Sequence, residues 1–139
     1  GGEENGGVCS GPHQPVRDSA MATALMLDIM AESGELLSSL ASSLPAYYNY
    51  KSKVKCPNEL KAKVLERVLR EAGGVRVDTL DGAKIWFEDE SWILVRPSGT
   101  EPIYRLFAES RDPAKPRELV ERYAAMVTRF VEEARAGAA

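Results

Sequence analysis

At 139 residues the chain has room for one domain and a piece of a second. Its 44% apolar and 28% charged residues are those of an ordinary folded chain, without a run of about 18 apolar residues that would predict a membrane span. A net charge of −3, with Lys and Arg scattered rather than striped, argues against nucleic acid as a partner.

Residues 1–17 are rich in Gly and Pro, lack hydrophobic periodicity and read as a loop. Within them Gly1-Gly2-Glu3-Glu4-Asn5-Gly6-Gly7 sets two carboxylates and an amide in a glycine frame. The opening shows no basic stretch before an apolar one, so no secretory leader is expected. Asp18 is a predicted N-cap for a helix through Ser33, ended by Gly34. Its apolar residues Met21, Leu25, Met26, Leu27, Ile29 and Met30 point almost all the way round, which calls for burial on most sides. A second short helix is expected over 35–43. Pro45 marks a boundary. The piece over 1–44 is too small to hold its own core, whereas 45–139 reads as one domain.

Beyond Pro45, Tyr47-Tyr48-Asn49-Tyr50-Lys51-Ser52-Lys53-Val54 alternates as a strand. Pro57, placed for a first helical position, opens a predicted helix over 57–72 with Leu60, Val64, Leu65, Val68 and Leu69 on one face. Gly73-Gly74 would end it as a left-handed stop. A short strand is expected over 75–77. Strands over 83–87 and 91–96 flank the tight acidic turn Glu88-Asp89-Glu90, and a further strand covers 103–109. Asp112-Pro113 gives an N-cap and first residue for a last helix over 113–134. That helix buries Leu119, Val120, Tyr123, Met126, Val127 and Phe130, with Glu118 and Arg122 paired outside. Short hairpin links imply antiparallel neighbours. The predicted class is α+β: an antiparallel sheet of four to five strands with two helices on one face. Trp86, Trp92, Tyr47, Tyr48 and Tyr50 are expected to be structural.

Chemistry concentrates in Arg96-Pro97-Ser98-Gly99-Thr100-Glu101-Pro102, a loop between two predicted strands. A guanidinium makes bidentate bonds to phosphate oxygens. Ser98 and Thr100 add neutral donors, and Gly99 lets backbone N–H groups approach an anion. The prolines stiffen the loop, which lowers the entropy lost on docking. Glu101 reads equally as a ligand and as a carboxylate that orients the loop. Glu3 and Asn5 carry oxygens suited to vicinal sugar hydroxyls. Cys9 and Cys56 form no C-x-x-C, which predicts free thiols and a cytoplasmic location. A lone His13 without clustered cysteines argues against a transition-metal site; for His13 an exposed loop histidine is expected.

Together the glycine loop and the 96–102 loop resemble the sugar-binding and phosphate-binding loops of the α-D-phosphohexomutase superfamily of phosphoglucomutases, phosphomannomutases and phosphoglucosamine mutases. Arg17-Asp18-Ser19-Ala20-Met21 and Asp81-Gly82 fall where that family carries similar segments. The resemblance implies a C-terminal fragment. In that reading 1–44 is a helical remnant of an α/β third domain, and 45–139 is a TATA-box-binding-protein-like fourth domain. It implies an isomerase that moves a phosphoryl group through a phosphoserine and a bisphosphate, with Mg²⁺ in the full-length enzyme. It assigns Arg96, Ser98, Gly99 and Thr100 to phosphate, and Glu3 and Asn5 to sugar hydroxyls. The family's Ser-His nucleophile loop and Asp-Gly-Asp-Gly-Asp metal loop are not in this sequence. No catalytic residue or metal ligand is therefore assigned here, and the chain alone is expected to be inactive. Where several family members carry a histidine, Gly7 stands, so no acid–base role transfers. The implied partners are a hexose phosphate and the remaining domains of the parent enzyme. A second reading is a stand-alone anion-binding module, and a third is a homodimer formed through the helix that carries Met21 and Met30. The residues do not choose among glucose, mannose and glucosamine phosphates, and they leave His13 and Arg17 without a role.

Overall fold

The computed structural model describes residues 1–2 and 6–136. The chain forms two units, Gly1–Pro45 and Ala46–Ala139. In the first, a loop is closed where Gly2 bridges Val8 and Cys9 N–H donates to Gly1 O at 2.7 Å. It leads into α1, Ser19–Ser33. Asp18 Oδ1 accepts Met21 N–H at 3.0 Å, and Gly34 closes the helix in the left-handed region, φ 69°. The sequence places both caps. Nothing on α1 is buried within this unit, and Leu27 stands 60% exposed. A helix apolar all round shows apolar surface wherever it lacks a neighbour. Helix α2, Leu37–Ser43, follows and is likewise unburied.

The second unit is a two-layer α+β domain. Its strands are β1 (Tyr48–Lys55), β2 (Arg76–Asp78), β3 (Ala83–Trp86), β4 (Trp92–Pro97) and β5 (Ile103–Ser110). They form one antiparallel sheet in the order β1-β5-β4-β3-β2. Helices α3 (Lys61–Glu71) and α4 (Lys115–Ala136) cover one face. Alternation decides which side chains go inward: Ile85, Ile93, Val95, Tyr104 and Leu106 meet Val64, Val68, Leu119, Tyr123, Val127 and Phe130 in the core. Each large apolar side chain buried there contributes about 1.5–3 kcal/mol. The opposite face stays open. Trp86 and Trp92 are register partners on it, with ring centroids 6.2 Å apart and the Lys84 ammonium over both rings.

Local details depart from the sequence reading in four places. Pro57 is extended and precedes a 3₁₀ turn, Asn58–Leu60, so α3 starts only at Lys61. Ala72 ends α3 in an extended conformation, and neither Gly73 nor Gly74 has positive φ. Gly74 serves close packing instead: a Cβ there would run into Ile85 Cγ2 and Trp86 O. The Asp112 carboxylate accepts Ala114 N–H at 2.8 Å as a turn of its own, which delays α4 to Lys115. The i,i+4 ion pairs described along α4 are Arg117–Glu121 and Arg129–Glu133, whereas Arg122 lies back over Tyr123 and beside Gly73.

Candidate functional site

Strands β4 and β5 are joined by residues 98–102. The register Pro97↔Tyr104 and Arg96↔Arg105 puts that turn at a hairpin tip. Ser98 N–H donates to Ile103 O at 3.0 Å and closes the turn. Ser98 is only 7% exposed. Its Oγ accepts from Thr100 N–H at 3.4 Å and Glu101 N–H at 3.2 Å, so the hydroxyl supplies acceptors inside the turn. From behind, Lys61 Nζ donates to Ser98 O at 2.5 Å and Glu101 O at 2.6 Å. Tyr104 Oη donates to Lys61 O at 2.6 Å, fastening the start of α3 to β5. Burial, and then the neighbouring Cys56, pushes the Tyr104 phenol well up, so it remains a donor. Burial likewise raises the Cys56 thiol.

Arg96 leaves the open face of β4. Asp81 Oδ2 holds its Nε at 2.9 Å, and the side chain is 44% exposed. Among the described residues the two η nitrogens have no acceptor. Asp81 reaches this position through Gly82, whose φ is 99°. A Cβ on Gly82 would stand 2.6 Å from Val95 O and 3.0 Å from Arg96 Cα. Glycine alone lets the turn come so close. Arg105 is the direct register partner of Arg96, and Lys53 that of Arg105. Three cations therefore stand in one row across the open face. Glu101 Oε2 sits 2.8 Å from Arg105 Nη2. An open cavity of about 430 Å³ on this face is lined by Lys51, Lys53, Glu101, Ile103, Arg105 and Phe107.

Of the residues singled out in the sequence, Arg96, Ser98, Gly99 and Thr100 thus share one hairpin tip. A Cβ at Gly99 would meet no protein atom within 4 Å, so protein packing does not demand glycine there. Glu3 and Asn5 lie outside the described residues. His13 Nε2 is 3.0 Å from Asp18 Oδ2 and braces the N-cap carboxylate of α1. Arg17 lines a cavity of about 500 Å³ with Gly6, Gly7 and Ser19. Sequence reasoning missed Lys61 and Arg105. Counting back equally from the tip of the hairpin pairs Arg105 with Arg96; no local signal marks Lys61. Among the described residues no group of three or more His, Cys, Asp or Glu side chains could hold a metal ion. No helix among them is long and apolar enough to cross a membrane.

Residues 52–127 match the family model described as phosphoglucomutase/phosphomannomutase, C-terminal domain, and residues 1–48 match the alpha/beta/alpha domain III of the same family. The chain belongs to the phosphoglucomutase/phosphomannomutase family as a segment spanning domains III and IV. It is 48% identical over 124 residues to the phosphoglucomutase/phosphomannomutase of Thermococcus kodakarensis, covering 87% of this chain and 26% of that protein. To a probable phosphoglucosamine mutase of Methanopyrus kandleri it is 38% identical over 138 residues, 97% of this chain and 30% of the other. To the phosphoglucosamine/phosphogalactosamine mutase of Sulfurisphaera tokodaii it is 42% identical over 123 residues, 86% and 27%. The chain therefore spans less than a third of each of these relatives. A crystal structure of a phosphoglucomutase/phosphomannomutase family protein from Burkholderia thailandensis superposes with a TM-score of 0.63 at 20% identity, covering 84% of this chain and 25% of that one, which supports the same fold.

Proposed function

We propose that this chain is the substrate-gripping portion of a phosphohexomutase that interconverts hexose 1-phosphate and hexose 6-phosphate. In that reading the tip at 98–102 clamps the phosphate that is not being transferred, while Glu3 and Asn5 contact the sugar hydroxyls. The observation that carries it is the Arg96 guanidinium, held through Nε by Asp81 and 44% exposed, on the strand that leads into the 98–102 turn. A second guanidinium, Arg105, stands across from it. Such a clamp does no covalent chemistry. It converts binding energy into rate by fixing a substrate whose reacting end lies elsewhere. Nucleophile and magnesium loops belong to motifs that this sequence does not contain, so the chain alone turns nothing over.

The test is phosphate affinity of the 139-residue chain by calorimetry at low ionic strength. Wild type should bind inorganic phosphate, and Arg96→Ala should weaken it by about 2–4 kcal/mol. Equal binding by both chains, or none by wild type, refutes the clamp. Turnover of glucose 1-phosphate by the purified chain, above a contaminant control, refutes the division of labour. Assay of an intact enzyme carrying this segment on glucose, mannose and glucosamine phosphates identifies the sugar.

A further inference from the structure

The backbone donors of the tip can be accounted for one by one. Pro97 and Pro102 have none. Ser98 N–H goes to Ile103 O, and Ile103 N–H to Glu101 O at 2.8 Å. Thr100 and Glu101 N–H go to Ser98 Oγ. Gly99 N–H alone among them has no acceptor in the described residues. A peptide group in the trans form holds its C=O and N–H on opposite sides, and the described chain contains no cis bond. The peptide that ends in Gly99 N–H begins with Ser98 C=O. Lys61 draws that carbonyl toward itself at 2.5 Å, which turns the Gly99 N–H the opposite way; a Cβ on Gly99 would meet no protein atom within 4 Å, so there is room at this residue for a ligand.

We propose that Lys61 is a positioning residue for anion binding: by gripping Ser98 O and Glu101 O from behind the tip, it aims the Gly99 N–H at the anion and sets a positive charge at its back. This rests on the phosphate-clamp reading and adds a residue 37 positions upstream of Ser98. An apolar side chain in the same place would leave Ser98 O without its donor and Glu101 O with Ile103 N–H alone, and would free the peptide to rotate. The Lys61 main chain is held as well: Tyr104 Oη donates to Lys61 O and keeps the first turn of α3 in place, so the lysine reaches the tip from a fixed base.

The experiment is a titration of the ¹⁵N-labelled chain with inorganic phosphate, following the Gly99 amide and the Lys61 ammonium by NMR. Wild type should show saturable shifts of both. Lys61→Met should bind about tenfold more weakly, the worth of one well-aimed neutral hydrogen bond, and its Gly99 amide should move little at saturation. Lys61→Arg, which keeps charge and donors, should return affinity to within about threefold of wild type. Wild-type binding with an equally tight Lys61→Met and an unchanged Gly99 shift removes Lys61 while sparing the clamp. No shift anywhere at 98–100 in wild type removes the clamp, and Lys61 with it. If Lys61→Met does not fold, the wild-type titration decides: a Lys61 ammonium signal that ignores phosphate while Gly99 responds overturns the proposal.

Discussion

Gly82→Ala is the sharpest test of how the site is built. Gly82 sits at φ 99°, where an L side chain costs about 1–2 kcal/mol. The added methyl would stand 2.6 Å from Val95 O and 3.0 Å from Arg96 Cα. Both atoms are backbone of a central strand, so neither can swing aside, and forcing them apart costs about 1–3 kcal/mol more. Loss of glycine entropy in the unfolded chain offsets about 0.4–1 kcal/mol. The expected net loss is about 2–4 kcal/mol, read as a fall of about 2 M in the urea midpoint of the second unit. Because the displaced atom is Arg96 Cα and the displaced turn carries Asp81, phosphate affinity should fall as well, in protein that is still folded. Gly74→Ala is the control. It crowds Ile85 and Trp86 O at the other end of β3 and should destabilise without touching phosphate binding. A Gly82→Ala chain within about 1 kcal/mol of wild type would refute the reasoning.

Three further outcomes are expected. Tyr104→Phe removes the donor to Lys61 O and should lower stability by about 1–2 kcal/mol in urea unfolding; a loss near zero would mean the bond is exchanged for water without cost. The Met21 N–H, and then His13, hold the Asp18 carboxyl below the usual aspartate range. A depressed folded pKa contributes stability that is complete above the ordinary value and disappears as pH falls through the folded one. The Asp18 side-chain carbon should therefore titrate below about pH 3.9, and the helical signal of α1 should weaken as pH falls from about 3.9 through that midpoint. A midpoint at or above 3.9 sinks the capping account. Finally, the exposed Leu27 and Ile29 should bind a hydrophobic fluorescent dye, and Leu27→Glu with Ile29→Glu should lower that signal; an unchanged signal would place the apolar surface elsewhere.

What could be read from the sequence was whatever acts over a few residues. Asp18 and Gly34 cap α1 through contacts three and four residues away. Strands announce themselves by alternation, and the hairpin tip by its prolines and glycine. Misreadings arose where tertiary contacts overrode a local signal. Gly73-Gly74 has the composition of a left-handed stop, yet its glycine is demanded by β3 packed against it. Asp112 has the chemistry of an N-cap, but its carboxylate is used on Ala114 before the helix starts. Lys61 looks like any lysine in the first turn of an amphipathic helix. Only the fold brings it to carbonyls 37 and 40 residues away.

The open face of the sheet also explains why a chain of net charge −3 can still offer an anion a favourable surface. Lys53, Arg105 and Arg96 occupy adjacent cross-strand positions, an arrangement that lowers sheet stability. Folding alone would not favour such a row. Each guanidinium is half-neutralised from its flank, Arg105 by Glu101 and Arg96 by Asp81. Both ion pairs are solvent-exposed, so each contributes no more than about 1 kcal/mol and leaves much of the repulsion in place. An anion at the tip would relieve that repulsion, and its binding should weaken steeply as salt screens the row. Strain placed beside the candidate site, rather than in the core, is what a site built for a charged ligand would show.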